Sequence, residues 1–169
     1  AAATTTTCAV TTAGKVRCWG RAFEGKLGYA NNLTIGDNET PATAGDVDVG
    51  GTVTQIATGS GNTCALLTTG GVRCWGTSFN GRLGYGNVNP NNPAASNIGD
   101  NETPATAGDI ALGRPATQVS TGTQISCAVL ASGRLKCWGS SSVIGLGYGN
   151  TDNIGDDETP VAVGPVPVF

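Results

Sequence analysis

Three acidic clusters recur at matching places along the chain: Asp37 with Glu39, Asp100 with Glu102, and Asp156 and Asp157 with Glu158. Carboxylates this close can exchange protons in acid–base chemistry or gather oxygen ligands around calcium. Six cysteines fall into three pairs, Cys8 with Cys18, Cys64 with Cys74 and Cys127 with Cys137, each pair ten positions apart. Thiol pairs can bridge, bind metal or shuttle electrons. Spacing separates these chemistries. Zinc-binding cysteines sit ~2–4 residues apart and redox pairs about two apart, and the chain has no His to complete a metal set. A structural disulfide within each pair is the reading that fits.

The elements that must position these groups follow from the surrounding residues. The cysteines bracket CAVTTAGKVRCWG at 8–20, CALLTTGGVRCWG at 64–76 and CAVLASGRLKCWG at 127–139. Each reads as strand, turn, strand, with a glycine suited to the left-handed position of a three-residue hairpin loop. That register sets the two cysteines opposite each other on adjacent antiparallel strands, within bridging reach. Each hairpin is followed by a Leu-Gly-Tyr triplet (27–29, 83–85, 146–148) and then by Ile-Gly-Asp-x-Glu-Thr-Pro (35–41, 98–104, 154–160). Further strands are expected at Val53–Ala57 and Ala116–Ser120. No window carries a helical period, and short Val-, Thr- and Ile-rich segments broken by Gly and Pro read as strands. The fold class is therefore all-β. Three repeats of propeller-like blades are expected, each with three to four antiparallel strands and an intra-blade disulfide hairpin, in units of about 1–52, 53–115 and 116–169.

Recurrence decides how the carboxylates are read. A group present in every repeat serves a shared structural task, so the acidic motif is expected to be a turn. Asp caps backbone N–H groups, and Thr-Pro re-enters an extended strand. Calcium ligation by Asp37, Glu39, Asp100, Glu102, Asp156 and Glu158 is the weaker alternative, and no catalytic residue or cofactor is assigned. The second unit carries an insertion within the polar, proline-containing run at 87–97, expected to be a surface loop. Asn32-Leu33-Thr34, Asn38-Glu39-Thr40 and Asn101-Glu102-Thr103 have the form of glycan acceptors.

Composition narrows the compartment and partners. Only 12% of residues are charged, and the net charge is −3, so the chain has no electrostatic footprint for nucleic acid. No apolar run approaches the length of a membrane span. Met is absent and the chain opens on Ala1-Ala2-Ala3, which fits a leader removed on export. Paired cysteines fit the same oxidising, extracellular or cell-surface location.

The ordered pieces Cys64-Ala65-Leu66, Gly71-Val72-Arg73-Cys74-Trp75-Gly76, Gly81-Arg82-Leu83-Gly84 and Pro104 resemble the repeats of the regulator-of-chromosome-condensation family, especially its bacterial secreted members. The resemblance implies a β-propeller of four-stranded blades, with Trp19, Trp75 and Trp138 as core or inter-blade packing residues. Family members often carry His before the first Cys, where this chain has Thr7, Thr63 and Ser126. Ser142-Val143-Ile144-Gly145 also replaces the Phe-x-Gly-x loops at 23–26 and 79–82. Eukaryotic relatives exchange nucleotide on a small GTPase or sense ultraviolet light through clustered tryptophans, and no motif for either activity is present. Closed propellers usually need ~4–8 blades, so three units are expected to seek neighbours through unpaired strand edges. The expected partners are other copies of the chain, in a two-chain six-bladed ring or a filament, with Val143, Ile144, Val166, Val168 and Phe169 as candidate contact residues; the alternative is that the three units are a piece of a longer propeller. A secreted module that binds carbohydrate or a surface protein is the competing reading.

Overall fold

The computed structural model describes residues 1–142 and 145–168. Among these residues eight strands form three antiparallel sheets. The first holds β1 (Thr6–Val10) and β2 (Val16–Gly20). The second holds β3 (Val53–Thr58), β4 (Asn62–Leu67) and β5 (Val72–Gly76). The third repeats that order with β6 (Ala116–Thr121), β7 (Ile125–Leu130) and β8 (Leu135–Gly139).

The hairpins are as expected. Cys8 lies opposite Cys18, Cys64 opposite Cys74 and Cys127 opposite Cys137, each pair with Cα atoms 4.1 Å apart and joined as a disulfide. Each turn closes through its glycine. Gly70 N–H donates to the Leu67 carbonyl with φ at +82°, and Gly14 and Gly133 do the same in their hairpins. A side chain there would force an L-residue into the left-handed region.

The fourth strand implied by the resemblance is reduced to isolated bridges. Gly20 pairs with Ile35, Gly76 with Ile98 and Gly139 with Ile154, while Val47 N–H donates to Val16 O and Ile110 N–H to Val72 O. The glycines and acidic turns of this segment break the pleat before a ladder can form. In the second blade, Thr103 is extended but Pro104 opens a single helical turn, α1 (Pro104–Ala107), rather than the expected strand. Proline suits the first helical position because its missing N–H would have no partner there.

One continuous core runs through all three blades. It contains the disulfides, Trp75 and Trp138, the three Leu-Gly-Tyr leucines, and Ile35, Ile98 and Ile154. Among the described residues no helix is long and apolar enough to cross a membrane.

Candidate blade-docking interface

The most specific polar geometry lies between blades, not inside a cleft. Trp75, next to last in β5, is fully buried, and its Nε1–H donates to the Lys26 carbonyl of the first blade at 3.1 Å. Thr63 Oγ1 donates to the same oxygen at 3.2 Å. The next junction repeats this arrangement. Trp138 Nε1–H reaches the Arg82 carbonyl at 3.1 Å, joined by Ser126 Oγ at 3.3 Å. The Thr and Ser that stand where family members often carry His thus serve as second donors to a buried carbonyl. One carbonyl with two donors is well satisfied in a site that water cannot reach.

Glycine makes the approach close enough. A Cβ at Gly28 would lie 2.8 Å from the Trp75 indole nitrogen, and one at Gly84 would lie 2.8 Å from that of Trp138. The Leu-Gly-Tyr triplet is therefore a seat for the next blade's tryptophan. Its tyrosine works within its own blade: Tyr85 Oη accepts from Cys74 N–H and donates to Gly108 O, Tyr29 Oη accepts from Cys18 N–H and donates to Gly45 O, and Tyr148 Oη accepts from Cys137 N–H and donates to Cys137 O. Burial pushes the Tyr85 hydroxyl well above the usual phenol range, so it stays a neutral donor.

A second seam uses the Ile-Gly-Asp motif. A Cβ at Gly99 would lie 2.3 Å from the Gly25 carbonyl oxygen, and one at Gly155 would lie 2.4 Å from that of Gly81. Gly25 and Gly81 sit at φ +74° and approach the backbone of 98–100 and 154–156 equally closely. The motif is thus a turn, as expected, and also the surface on which the preceding blade rests. At the second junction a third tie is added where the Gln55 amide brackets Val119, donating to its carbonyl at 2.9 Å and accepting from its N–H at 3.0 Å. Arg73 spans the first junction, donating to Val49 O at 2.7 Å while pairing with Asp109 in its own blade at 2.7 Å.

The outer faces carry the same parts with their partners missing from the described residues. Trp19 is half-buried, and its indole N–H meets no protein acceptor there. A Cβ at Gly36 would meet only the Trp19 side chain, at 3.8 Å. Ile35 and Asp37, equivalent to the docked Ile98 and Asp100, instead line an open cavity of about 560 Å³ together with Asn38 and Glu39. On the third blade, Gly147 has Val166 beside it but no tryptophan, and Gln118, aligned with Gln55, is exposed.

The acidic groups divide by blade. In the first, Asp37 Oδ1 accepts from Asn38 N–H and Glu39 Oε1 from Gly36 N–H, both at 3.0 Å, so the carboxylates hold the turn. In the third, Asp156, Asp157 and Glu158 can each offer an oxygen within 4.8 Å of the others, the one such trio among the described residues. Burial, a hydrogen bond to Asp157 and the charges of Asp157 and Asp156 push the Glu158 carboxyl up to about 7. Three oxygens of this kind are hard-cation donors, but the first-blade pair is engaged in its own turn.

The expected contact residues are scattered. Val166, expected on an assembly surface, is instead 8% exposed and closes its own blade through a hydrogen bond to Leu135 O. Its place matches that of Val47 and Ile110, whose apolar side chains complete the first two blades. Val168 is 52% exposed. Val143, Ile144 and Phe169 lie outside the described residues. The residues that sequence reasoning passed over are Thr63, Ser126, Gln55 and the Lys26 and Arg82 carbonyls. The recurring Gly-x-Leu-Gly and Ile-Gly-Asp triplets were their visible trace.

The Regulator of chromosome condensation (RCC1) repeat pattern matches residues 53–82 and 116–143. Human protein RCC2 is 29% identical over 143 residues, which cover 85% of this chain and 24% of RCC2. Human WBSCR16 superposes with a TM-score of 0.68 at 19% identity, over 98% of this chain and 36% of its own. Yeast RCC1 (Prp20), solved with Kap60 bound, gives 0.69 at 15% identity, over 94% and 35%. The chain thus spans about a quarter of the curated relative and about a third of these solved chains. At such identities the shared property is the fold, an RCC1-type β-propeller.

Proposed function

We propose that this chain, whose fold is that of an RCC1-type β-propeller and whose residues 53–82 and 116–143 match the RCC1 repeat, is an extracellular, non-catalytic structural protein that assembles with further copies of itself, blade on blade. The observation that carries this reading is the repeated interlock. Tryptophan, Gly-x-Leu-Gly and Ile-Gly-Asp join the first blade to the second and the second to the third, while the first blade also carries Trp19 with Ile35-Gly36-Asp37 and the third blade carries Leu146-Gly147. Such a contact is heterologous: head meets tail, so it closes into a ring if the rotation allows and otherwise extends as a filament. Three hairpin disulfides support an oxidising location. The carboxylates held in first-blade turns support a non-catalytic role.

The test is the mass of the oxidised chain across concentration by light scattering. Growth in mass as concentration rises is the expected result, and a constant three-blade mass up to millimolar chain rejects the reading. The second reading, a secreted binding module for carbohydrate or a surface protein, is favoured by the open cavity that Tyr29, Asn31 and Asp37 help to line. The yeast relatives also act with other proteins, as Prp20p is described with Kap60, Gsp1p and histones. Saturable binding of one ligand by a chain of constant mass would favour that module instead.

A further inference from the structure

We propose that a cavity at the second blade joint, walled by the 87–97 loop, binds an organic cation: an ammonium or guanidinium group on an apolar stem, as lysine and arginine side chains and free aliphatic amines carry. The site lies between two blades of one chain, and it stands whether or not copies assemble.

The loop is firmly held. Val88 N–H donates to Asp156 O at 2.8 Å, which ties the start of the loop to the third-blade turn. Ser78 holds the far end, its Oγ donating to Pro93 O at 2.7 Å and its N–H to Asn97 Oδ1 at 2.9 Å. Between these ties Ser96 Oγ accepts from Asn89 N–H at 3.0 Å and donates to Asn87 O at 3.1 Å. Val88, Pro90 and Pro93 thus stand with Phe79 and Asn80 around a cavity of about 390 Å³, and Asp156 and Asp157 line it from the third blade. The first joint has no such wall, because the chain passes from Tyr29 to Ile35 without the insertion that separates Tyr85 from Ile98.

Two kinds of surface meet in this cavity. Phe79, Val88, Pro90 and Pro93 offer apolar contact, and Phe79 is left 50% exposed. Asp156 and Asp157 offer negative charge that no protein cation takes up: among the described residues the ion pairs are Arg17 with Asp46 and Arg73 with Asp109. The Glu158 carboxyl beside them, raised first by its burial, is raised further by the same crowding of carboxylates. An inorganic cation would use the carboxylates and leave the apolar wall idle. A neutral apolar ligand would do the reverse. An ammonium or guanidinium on an apolar stem uses both, with the stem along the ring and prolines and the head at the carboxylates.

Titration of the isotopically labelled, oxidised chain with agmatine, followed by amide chemical shifts, tests this. Agmatine should shift amides at 79–93 and 156–157 with a dissociation constant on the order of 1 mM, since so small a ligand in an open cavity gathers few contacts. Shifts by agmatine and by N-acetylarginine amide alike support recognition of the cationic group itself. Shifts by the blocked arginine alone support it with a partner protein's side chain as the source. Phe79→Ala and Asp157→Asn, both at exposed side chains, should each weaken binding by about twofold to fivefold. Phe23→Ala, the repeat equivalent without the loop, should leave it unchanged, and equal weakening there would overturn the assignment to this cavity. No shift at tens of millimolar agmatine or blocked arginine would overturn the proposal. So would calcium shifting 156–158 while neither organic cation moves Phe79, which would make the carboxylates a metal site.

Discussion

Replacing one glycine of the Ile-Gly-Asp motif by alanine, in each blade in turn, separates what a blade needs for itself from what it needs for its neighbour. Gly36, Gly99 and Gly155 share nearly the same backbone, with φ at +97°, +97° and +96°. Alanine in that conformation costs about 1–2 kcal/mol wherever it sits. The surroundings differ. The new methyl at 99 or 155 would fall 2.3–2.4 Å from the carbonyl oxygen of Gly25 or Gly81, whereas at 36 its nearest neighbour is the Trp19 ring at 3.8 Å. Backbone of a packed blade cannot step aside as a flexible side chain can, so the overpacking adds about 1–3 kcal/mol at the two internal joints only. Gly36→Ala should therefore lose about 1–2 kcal/mol, and Gly99→Ala and Gly155→Ala about 2–5 kcal/mol. Equilibrium urea unfolding of the oxidised variants at low chain concentration, compared by midpoint, gives the ranking. Equal losses at all three positions would refute the claim that this glycine is an inter-blade contact.

Removing the central staple with Cys64→Ala and Cys74→Ala should destabilise the chain by about 3 kcal/mol, the chain-entropy value for so short a loop, with urea unfolding as the readout. Gln55→Ala deletes two hydrogen bonds to the Val119 backbone and should cost about 1–3 kcal/mol. Faster amide exchange at Val119 would place the loss at the second joint. Glu158 gives a pH signature. Its carboxyl titrates at about 7 in the folded chain against 4.5 ordinarily, so the folded state holds this proton more tightly than the unfolded state does. The stability it contributes is fully present below about 4.5 and is lost as pH rises through 7. Glu158→Gln should flatten that part of the melting-temperature profile, and an unchanged slope would exclude Glu158 as its source.

The hairpins were legible because every cue for them is local. Cysteines ten positions apart, one glycine before the return strand and β-branched neighbours set register without reference to the rest of the fold. The joints were not legible, for a physical reason. The acceptors at Lys26 and Arg82 are backbone carbonyls, which no residue type advertises, and the close approach at Gly99 is made by the absence of a side chain. The acidic turn was read from its polar residues, so Asp and Glu drew attention while the glycine between Ile and Asp carried the contact. Thr63 and Ser126 looked like departures from the family's His and are the second donors of each joint. Val166 was placed outside because it is apolar and near the end of the sequence, yet it fills the slot that Val47 and Ile110 fill in their blades. The fourth strand was overestimated for the same reason that the turn was recognised: a segment rich in Gly, Asp and Pro bridges once and then leaves the sheet.

Cryo-electron microscopy of the oxidised chain at high concentration addresses the central claim most directly. Blade-on-blade assembly predicts the first blade of one copy seated against the third blade of the next, with Trp19 and Gly36 covered by the neighbour. Single three-blade particles, or copies joined through any face that leaves Trp19 and Gly36 uncovered, would contradict it.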